Sequence, residues 1–304
     1  FVRDAVAFRA YAGVLKGAEG TLADNAGNSL DRALLLSKLL RERGYRPALA
    51  HGRLGGEALD RVIALSQGLY PDPETGAVPQ LNPAAHETLA LLLSDHYWVQ
   101  LPTGESAAAD WIDLDPTLPD SIPGRTIASF RKRILRLPSH LFQLIEIDVW
   151  AEFAIAEQPV RSRLLRWVKS IPDVSSKPVM LFFVRREADG RFVYSENNRW
   201  YPVLWYDGAV QPALNLESEA NRLAVRARGV VEPPEVRRIW IEIILRAPNQ
   251  DAITTRRALY SADQPDNSRL GEMQLFRVGT NPPGAEYLTA AAAALETSAI
   301  AAAG

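Results

Sequence analysis

Between Leu30 and Arg43 the apolar residues fall at Leu30, Ala33, Leu34, Leu36, Leu39 and Leu40. That is the spacing of one helical face, and Gly44 supplies its stop. The stretch "RPALAHGRL" follows as a short strand candidate. Next comes a predicted helix around "EALDRVIALSQ", a turn-rich run "YPDPETGAVPQLNP", and a second helix "AAHETLALLLS". "DHYWVQL" and "DWIDLDPTLPD" then read as two strands joined by "PTGESAAA". Upstream, Gly13, Gly17 and Gly20 break residues 1–23 into turns rather than one long helix. The first part of the chain therefore predicts a helix packed on a small antiparallel sheet, with a helical insertion over 55–94.

The pattern changes after "LPDSIPG". "HLFQLIEIDVW" predicts a strand and "PVRSRLLRWVKS" a short helix. "PVMLFFVRREADGRFVYS" predicts a hairpin turning at Asp189–Gly190, and "WYPVLWYDGAVQPAL" a second turning at Asp207–Gly208. "EVRRIWIEIILRAP" and "TTRRALYS" add two strands. The tail "TAAAAALETSAIAAAG" is low-complexity, a helix or a linker. The expected organisation is a first domain over 1–120, a mainly antiparallel β domain over 121–285, and an Ala-rich tail over 286–304. No internal repeat of solenoid period is visible.

Composition narrows the function classes. At 304 residues, 47% hydrophobic and 23% charged, the chain can bury real cores. Its 34 Lys and Arg against 36 Asp and Glu leave a net charge of -2, with no electrostatic reason to expect nucleic acid or an acidic membrane. No apolar run reaches the ~18 residues of a membrane span. The absence of cysteine excludes disulfides, thiolate metal sites and cysteine nucleophiles. The histidines are scattered without metal-ligand spacing, and "GRLGGEALD" matches no phosphate-binding loop. Neither metal nor cofactor is expected. A start at Phe1 and an Ala-rich exit suit a piece of a larger, bacterial-looking polypeptide, with a lean toward the cell envelope or secretion.

The chemistry-bearing residues stand in one order: Gly27-Asn28-Ser29-Leu30-Asp31-Arg32-Ala33, Leu39-Leu40-Arg41-Glu42-Arg43-Gly44, His96-Tyr97-Trp98, and Trp111-Ile112-Asp113-Leu114-Asp115-Pro116. Over about residues 8–120 this resembles the transglutaminase-like domains, relatives of the papain-like cysteine peptidases. Their pattern runs Gly-x-Cys-x-Asp-x-Ala, Leu-Leu-Arg-x-x-Gly, His-x-Trp, Trp-x-x-x-Asp-Pro. The resemblance implies an α+β, papain-like fold and a triad at Ser29, His96 and Asp115, with Ser29 in the place of the nucleophilic Cys. A helix N-terminus activates a nucleophile and stabilises its oxyanion; a His and an Asp on successive strands supply base and orienter. By strand alternation His96, Trp98 and Gln100 share one face, as do Trp111, Asp113 and Asp115 on theirs. Asp113 competes with Asp115 only in a shifted register.

Serine at this position changes the expectation. A hydroxyl forms no ion pair with imidazole and is deprotonated only during attack, so a site shaped for a thiolate loses its nucleophile. Asn28 or Ser29 equally suits the helix cap, with Asp31 favouring the dipole. The leading expectation is a transglutaminase-like module without its nucleophile, binding a peptide or protein segment in the cleft through Asn28, Trp98 and Trp111. Two others remain: a serine-dependent acyl transferase or amidase using Ser29, His96 and Asp115, and a structural scaffold. His51 is expected to line the same cleft, while His86 and His140 suit a helix surface and a loop. The pairs Arg185–Arg186, Arg237–Arg238 and Arg256–Arg257 read as solvated strand faces. The aromatics of "RWYPVLWYDG" read as sheet core.

Overall fold

The computed structural model describes residues 1–68, 83–104, 110–155, 158–175, 177–186, 192–193, 201–211, 213–214, 219–220, 222–223, 235–264, 268–270 and 274–276. The protein is α+β, and among the described residues its sheets are antiparallel apart from one two-residue pairing. It divides into two compact units, one made of 1–143 with 247–250 and the other of 144–246 with 251–304.

In the first unit, α1 (Val2–Ala5), β1 (Ala7–Phe8), α2 (Gly17–Asp24) and β2 (Ala26–Gly27) precede the long α3 (Ser29–Glu42). Gly44, at φ +83°, ends α3 in a conformation that L residues avoid. β3 (Ala48–Arg53), α4 (Gly56–Ser66), α5 (Pro83–Leu93), β4 (Asp95–Pro102), β5 (Trp111–Leu114) and β6 (Ser129–Ile134) complete the unit. The four longer strands form one antiparallel sheet in the order β5-β4-β3-β6.

Alternation along β3 and β4 gives this sheet two buried faces. Leu49, Tyr97 and Val99 pack with Leu30 and Ala33 of α3. Ala50 and Trp98 pack on the other side with Val62 and Ile63 of α4 and Leu93 of α5. The helices of the 55–94 insertion therefore cover the face opposite α3.

Strand β6 is absent from the sequence reading, and it moves the boundary. By pairing with β3 it ties residues 121–143 to the first unit, so the division falls after Gln143 rather than at 120. In "SFRKRI" only Ile134 is buried, so the strand lacks the apolar weight that marks the others.

The second unit holds β7 (Leu144–Ile155), β8 (Gln158–Ser170), the single turn α6 (Ile171–Val174), β9 (Val179–Arg186), β10 (Phe192–Val193), β11 (Tyr201–Tyr206), β12 (Ala209–Gln211), β13 (Glu235–Arg246), β14 (Ile253–Ser261) and β15 (Gln274–Phe276). One sheet runs β14-β13-β7-β8; the other runs β10-β9-β11-β12, with β15 also on β9. Trp167 of the first meets Tyr206 of the second edge to face, with ring centroids 5.1 Å apart.

"PVRSRLLRWVKS", expected as a helix, is strand β8. A bulge opposite Val149 and Trp150 leaves Leu164 outside the pairing, so Leu164 and Leu165 are both buried. The extra residue breaks the period-two alternation and spaces Val160, Leu164, Leu165 and Val168 like a helical stripe. The Asp207–Gly208 turn has both residues at positive φ, 52° and 81°, as a two-residue hairpin requires. β9 and β10 pair as expected, but Asp189, Gly190 and the 286–304 tail lie outside the described residues.

Candidate functional site

The head of α3 is built from short-range hydrogen bonds. Asn28, not Ser29, is the N-cap: its Oδ1 accepts from the Asp31 backbone N–H at 2.8 Å. Its Nδ2 donates to the carbonyls of Tyr11 and Gly13, fastening the helix to the preceding loop. Asp31, fully buried, accepts from the Tyr11 hydroxyl at 2.6 Å and from the N–H groups of Leu15, Lys16 and Gly17. Burial pushes its carboxyl up, against the pull of Tyr11 and these amides. Burial and the Asp31 charge together drive the Tyr11 phenol above its ordinary range. Asp31 is thus the anchor that fixes where Ser29 stands.

A cavity of about 270 Å³ opens beside this helix head, within the first unit. Tyr11, Asn28, Ser29 and Leu30 form one wall, and Leu91, Leu92, Asp95 and Tyr97 another; Leu141 and Pro248–Gln250 also line it. Among the described residues that line it, Asp95 is the charged one. Ser29 is buried, and among the described residues no hydrogen bond joins its hydroxyl to another side chain. His51 stands behind the wall, with Nε2 3.0 Å from Asp95 Oδ1 and its ring stacked on Tyr97 at 4.8 Å.

His96 and Asp115 form a pair of their own. His96 Nε2 lies 2.9 Å from Asp115 Oδ2, and both side chains are 1% exposed. The same oxygen accepts from the Thr126 hydroxyl, and Asp115 Oδ1 accepts from the Thr117 amide. Burial works to raise the Asp115 carboxyl, but the charge and hydrogen bond of His96, with Thr117, outweigh it and hold it down at about 2. Nearby, the buried Arg32 donates to the carbonyls of Val2, Arg3, Pro116 and Thr117, binding α3 to the segment after β5. Burial lowers its guanidinium to about 10, against the attraction of Asp115, which leaves it charged at neutral pH.

Among the described residues no hydrogen bond joins Ser29 to His96. In β4, Tyr97 and Val99 project toward α3, so His96 and Trp98 project from the other face. The His96 ring stacks toward Trp98 at 6.0 Å, and the residues of β4 that reach the Ser29 cavity are Asp95 and Tyr97. The register Gln100↔Asp113 puts Asp113 under Trp98 Nε1 and Gln100 Nε2, leaving Asp115 to His96.

Of the binding candidates, Asn28 lines the cavity. Trp98 is wholly buried, and Trp111 lies under the Arg133 guanidinium at 3.8 Å, on the Trp98 side of the sheet. His86 pairs with Asp60 on a helix surface, and His140 is exposed. Tyr97 and Asp95 were legible as neighbours of His96, but strand alternation assigns them, rather than His96, to the helix head. Nothing local in the sequence marks Pro248, Asn249 and Gln250. Among the described residues no group of three His, Asp or Glu side chains gathers as a metal site, and no helix is long and apolar enough to cross a membrane.

No protein-family model, no curated protein and no solved structure matches the chain.

Proposed function

We propose that the first unit is a transglutaminase-like, papain-like module that lacks a working nucleophile and holds a peptide segment in the cavity at the head of α3. The observation that carries the reading is that, among the described residues, no hydrogen bond joins Ser29 to His96, whose Nε2 is taken by Asp115. A serine hydroxyl needs a base within hydrogen-bond reach, and the His96 imidazole, 1% exposed, is engaged by Asp115 and does not line the Ser29 cavity. The His–Asp pair is then an interior pin, and the helix head is free to serve binding alone. The cavity is below the usual volume of a small-molecule site, ~300–1,000 Å³, and suits one or two side chains of a chain lying across its mouth. Leu91, Leu92, Leu141 and Pro248 offer apolar contact, while Asn249 and Gln250 offer amides to a peptide backbone.

A displayed peptide library panned on the full chain tests this. Selected peptides should bind the Ser29→Ala variant as they bind the parent, and should lose binding when Leu92→Trp narrows the cavity. A serine-directed covalent probe should label neither protein. Labelling of the parent that disappears in Ser29→Ala would overturn the reading in favour of serine-dependent acyl transfer.

A further inference from the structure

In the second unit, one face of the β14-β13-β7-β8 sheet carries a pattern that neither a core nor an ordinary solvated face requires. The odd-numbered residues of β7 from Ile145 to Ile155 are apolar and buried. Its even-numbered residues include Glu146, Asp148, Trp150 and Glu152, and the three acids are buried as well. Across the register, Arg166 and Arg163 of β8 stand beside Asp148 and Trp150, with Arg161 beside Glu152. On the other side, Trp240 stands beside Trp150 and Glu242 beside Asp148, with Arg256 next to Glu242.

The arginines lie over this floor. Arg161 Nε donates to Glu152, Arg166 Nε to Glu146, Arg163 to Asp148, Arg246 to Glu146 and Arg256 to Glu242. Their side chains remain 38–59% exposed, while the carboxylates beneath are 3–15% exposed. The Trp150 and Trp240 rings stack nearly parallel at 6.3 Å. Arg163 lies over Trp150, and Arg161 and Arg256 over Trp240, each within 6 Å of the ring centroid. Five guanidinium groups are thereby held by their inner edges. Arg161 and Arg166 engage the floor through Nε, and among the described residues no bond is made by their terminal nitrogens.

We propose that this face is a docking surface for an acidic, extended polypeptide segment, whose carboxylates take the outward forks of Arg161, Arg163 and Arg166. Burying three carboxylates is costly, and a face meant only for water needs none of them. What the buried acids provide is orientation: each arginine is fixed before a partner arrives, so less side-chain entropy is lost on binding. The guanidinium fork matches a carboxylate in bidentate geometry. Arg161 and Arg163 are two residues apart on one strand, a separation of ~6.6 Å, which is also the spacing of alternate side chains in an extended peptide. Single-stranded nucleic acid, the other polyanion, would need open aromatic faces for its bases. Trp240 is 6% exposed beneath its arginines, and the carboxylate floor tempers the field a dense phosphate chain would seek.

The test uses the full chain and a fluorescein-labelled peptide of alternating Glu and Thr, followed by anisotropy at low and at physiological salt. Binding should weaken as salt is raised and be absent for the Gln–Thr analogue. The double variant Arg161→Lys, Arg166→Lys keeps a cation over each buried glutamate but removes the fork, and should bind about tenfold more weakly with an unchanged melting temperature. Arg131→Gln, an exposed arginine in β6 of the first unit, should leave binding as it was. Equal binding of the Gln–Thr analogue, equal binding by the double lysine variant, or tighter binding of labelled oligo-dT than of the acidic peptide would each overturn the proposal. These readouts do not involve the Ser29 cavity, so the two proposals stand or fall separately.

Discussion

His96 and Asp115 form a hydrogen-bonded pair, 2.9 Å from Nε2 to Oδ2, in an environment closed to solvent. Folding holds the Asp115 carboxyl at about 2, below the ~3.9 of an unfolded chain. A carboxyl whose folded value is depressed stabilises the fold above its unfolded value, and that contribution is lost as pH falls through the folded one. The pair should therefore contribute about 2 kcal/mol at neutral pH that disappears between roughly pH 4 and pH 2. Asp115→Asn should flatten the acid limb of a stability–pH curve measured by urea unfolding. A variant curve that still falls as steeply over that interval would refute the assignment.

Gly52 makes room for the ring of Trp98. A Cβ at residue 52 would sit 2.4 Å from the Ser129 carbonyl oxygen and 2.9 Å from the Trp98 ring. The oxygen belongs to the backbone of β6, so the conflict is relieved only by moving a strand or turning a buried indole. Gly52→Ala should cost about 2–3 kcal/mol, as overpacking of a core does. Chemical denaturation should show a lowered midpoint, and reduced hydrogen-exchange protection should appear in β3 and β6 together.

These two sites mark how far the sequence could be read. The α3 stripe, the Asp207–Gly208 turn and the alternation of β4 follow local periodicities, and each is legible without the fold. The His96–Asp115 contact also follows from period two on neighbouring strands, once their register is granted. The side of the sheet on which α3 lies does not follow, because β4 is apolar on both faces: Tyr97 and Val99 serve α3, Trp98 the α4–α5 cluster. A strand buried on both sides gives no sign of which neighbour owns which face. The same blindness affects β8, where a single bulge disguises a strand as a helix. Strand β6 fails for the opposite reason, since four of its six residues are exposed and its place is set by pairing rather than burial.

Tyr11 and Asp31 bond at 2.6 Å across the loop that precedes α3. Tyr11→Phe removes a side-chain donor to a buried carboxylate, the one found among the described residues, and should cost about 2 kcal/mol, the worth of a hydrogen bond to a charged group. The Asp31 carboxyl is already raised by burial, with Tyr11 pulling it down. Without Tyr11 it rises further, and a carboxyl raised by folding loses stability as pH increases through its unfolded value. The variant's deficit should thus be smaller near pH 4 than at pH 7. A deficit that is constant across that range would show that Asp31 is held by its three amides alone.

Asn28 and Ser29 adjoin in sequence but do different work. The Asn28 carboxamide caps α3 and ties it to the carbonyls of Tyr11 and Gly13; the Ser29 hydroxyl makes no such contact. Asn28→Ala leaves the Asp31 N–H and two half-buried carbonyls without their partner, and should cost about 2 kcal/mol. Ser29→Ala should change stability by less than about 0.5 kcal/mol, since alanine is well accepted in a first helical turn. Thermal unfolding of the two variants side by side decides the matter. A large loss for Ser29→Ala would make the hydroxyl a structural group and remove it from the cavity's chemistry altogether.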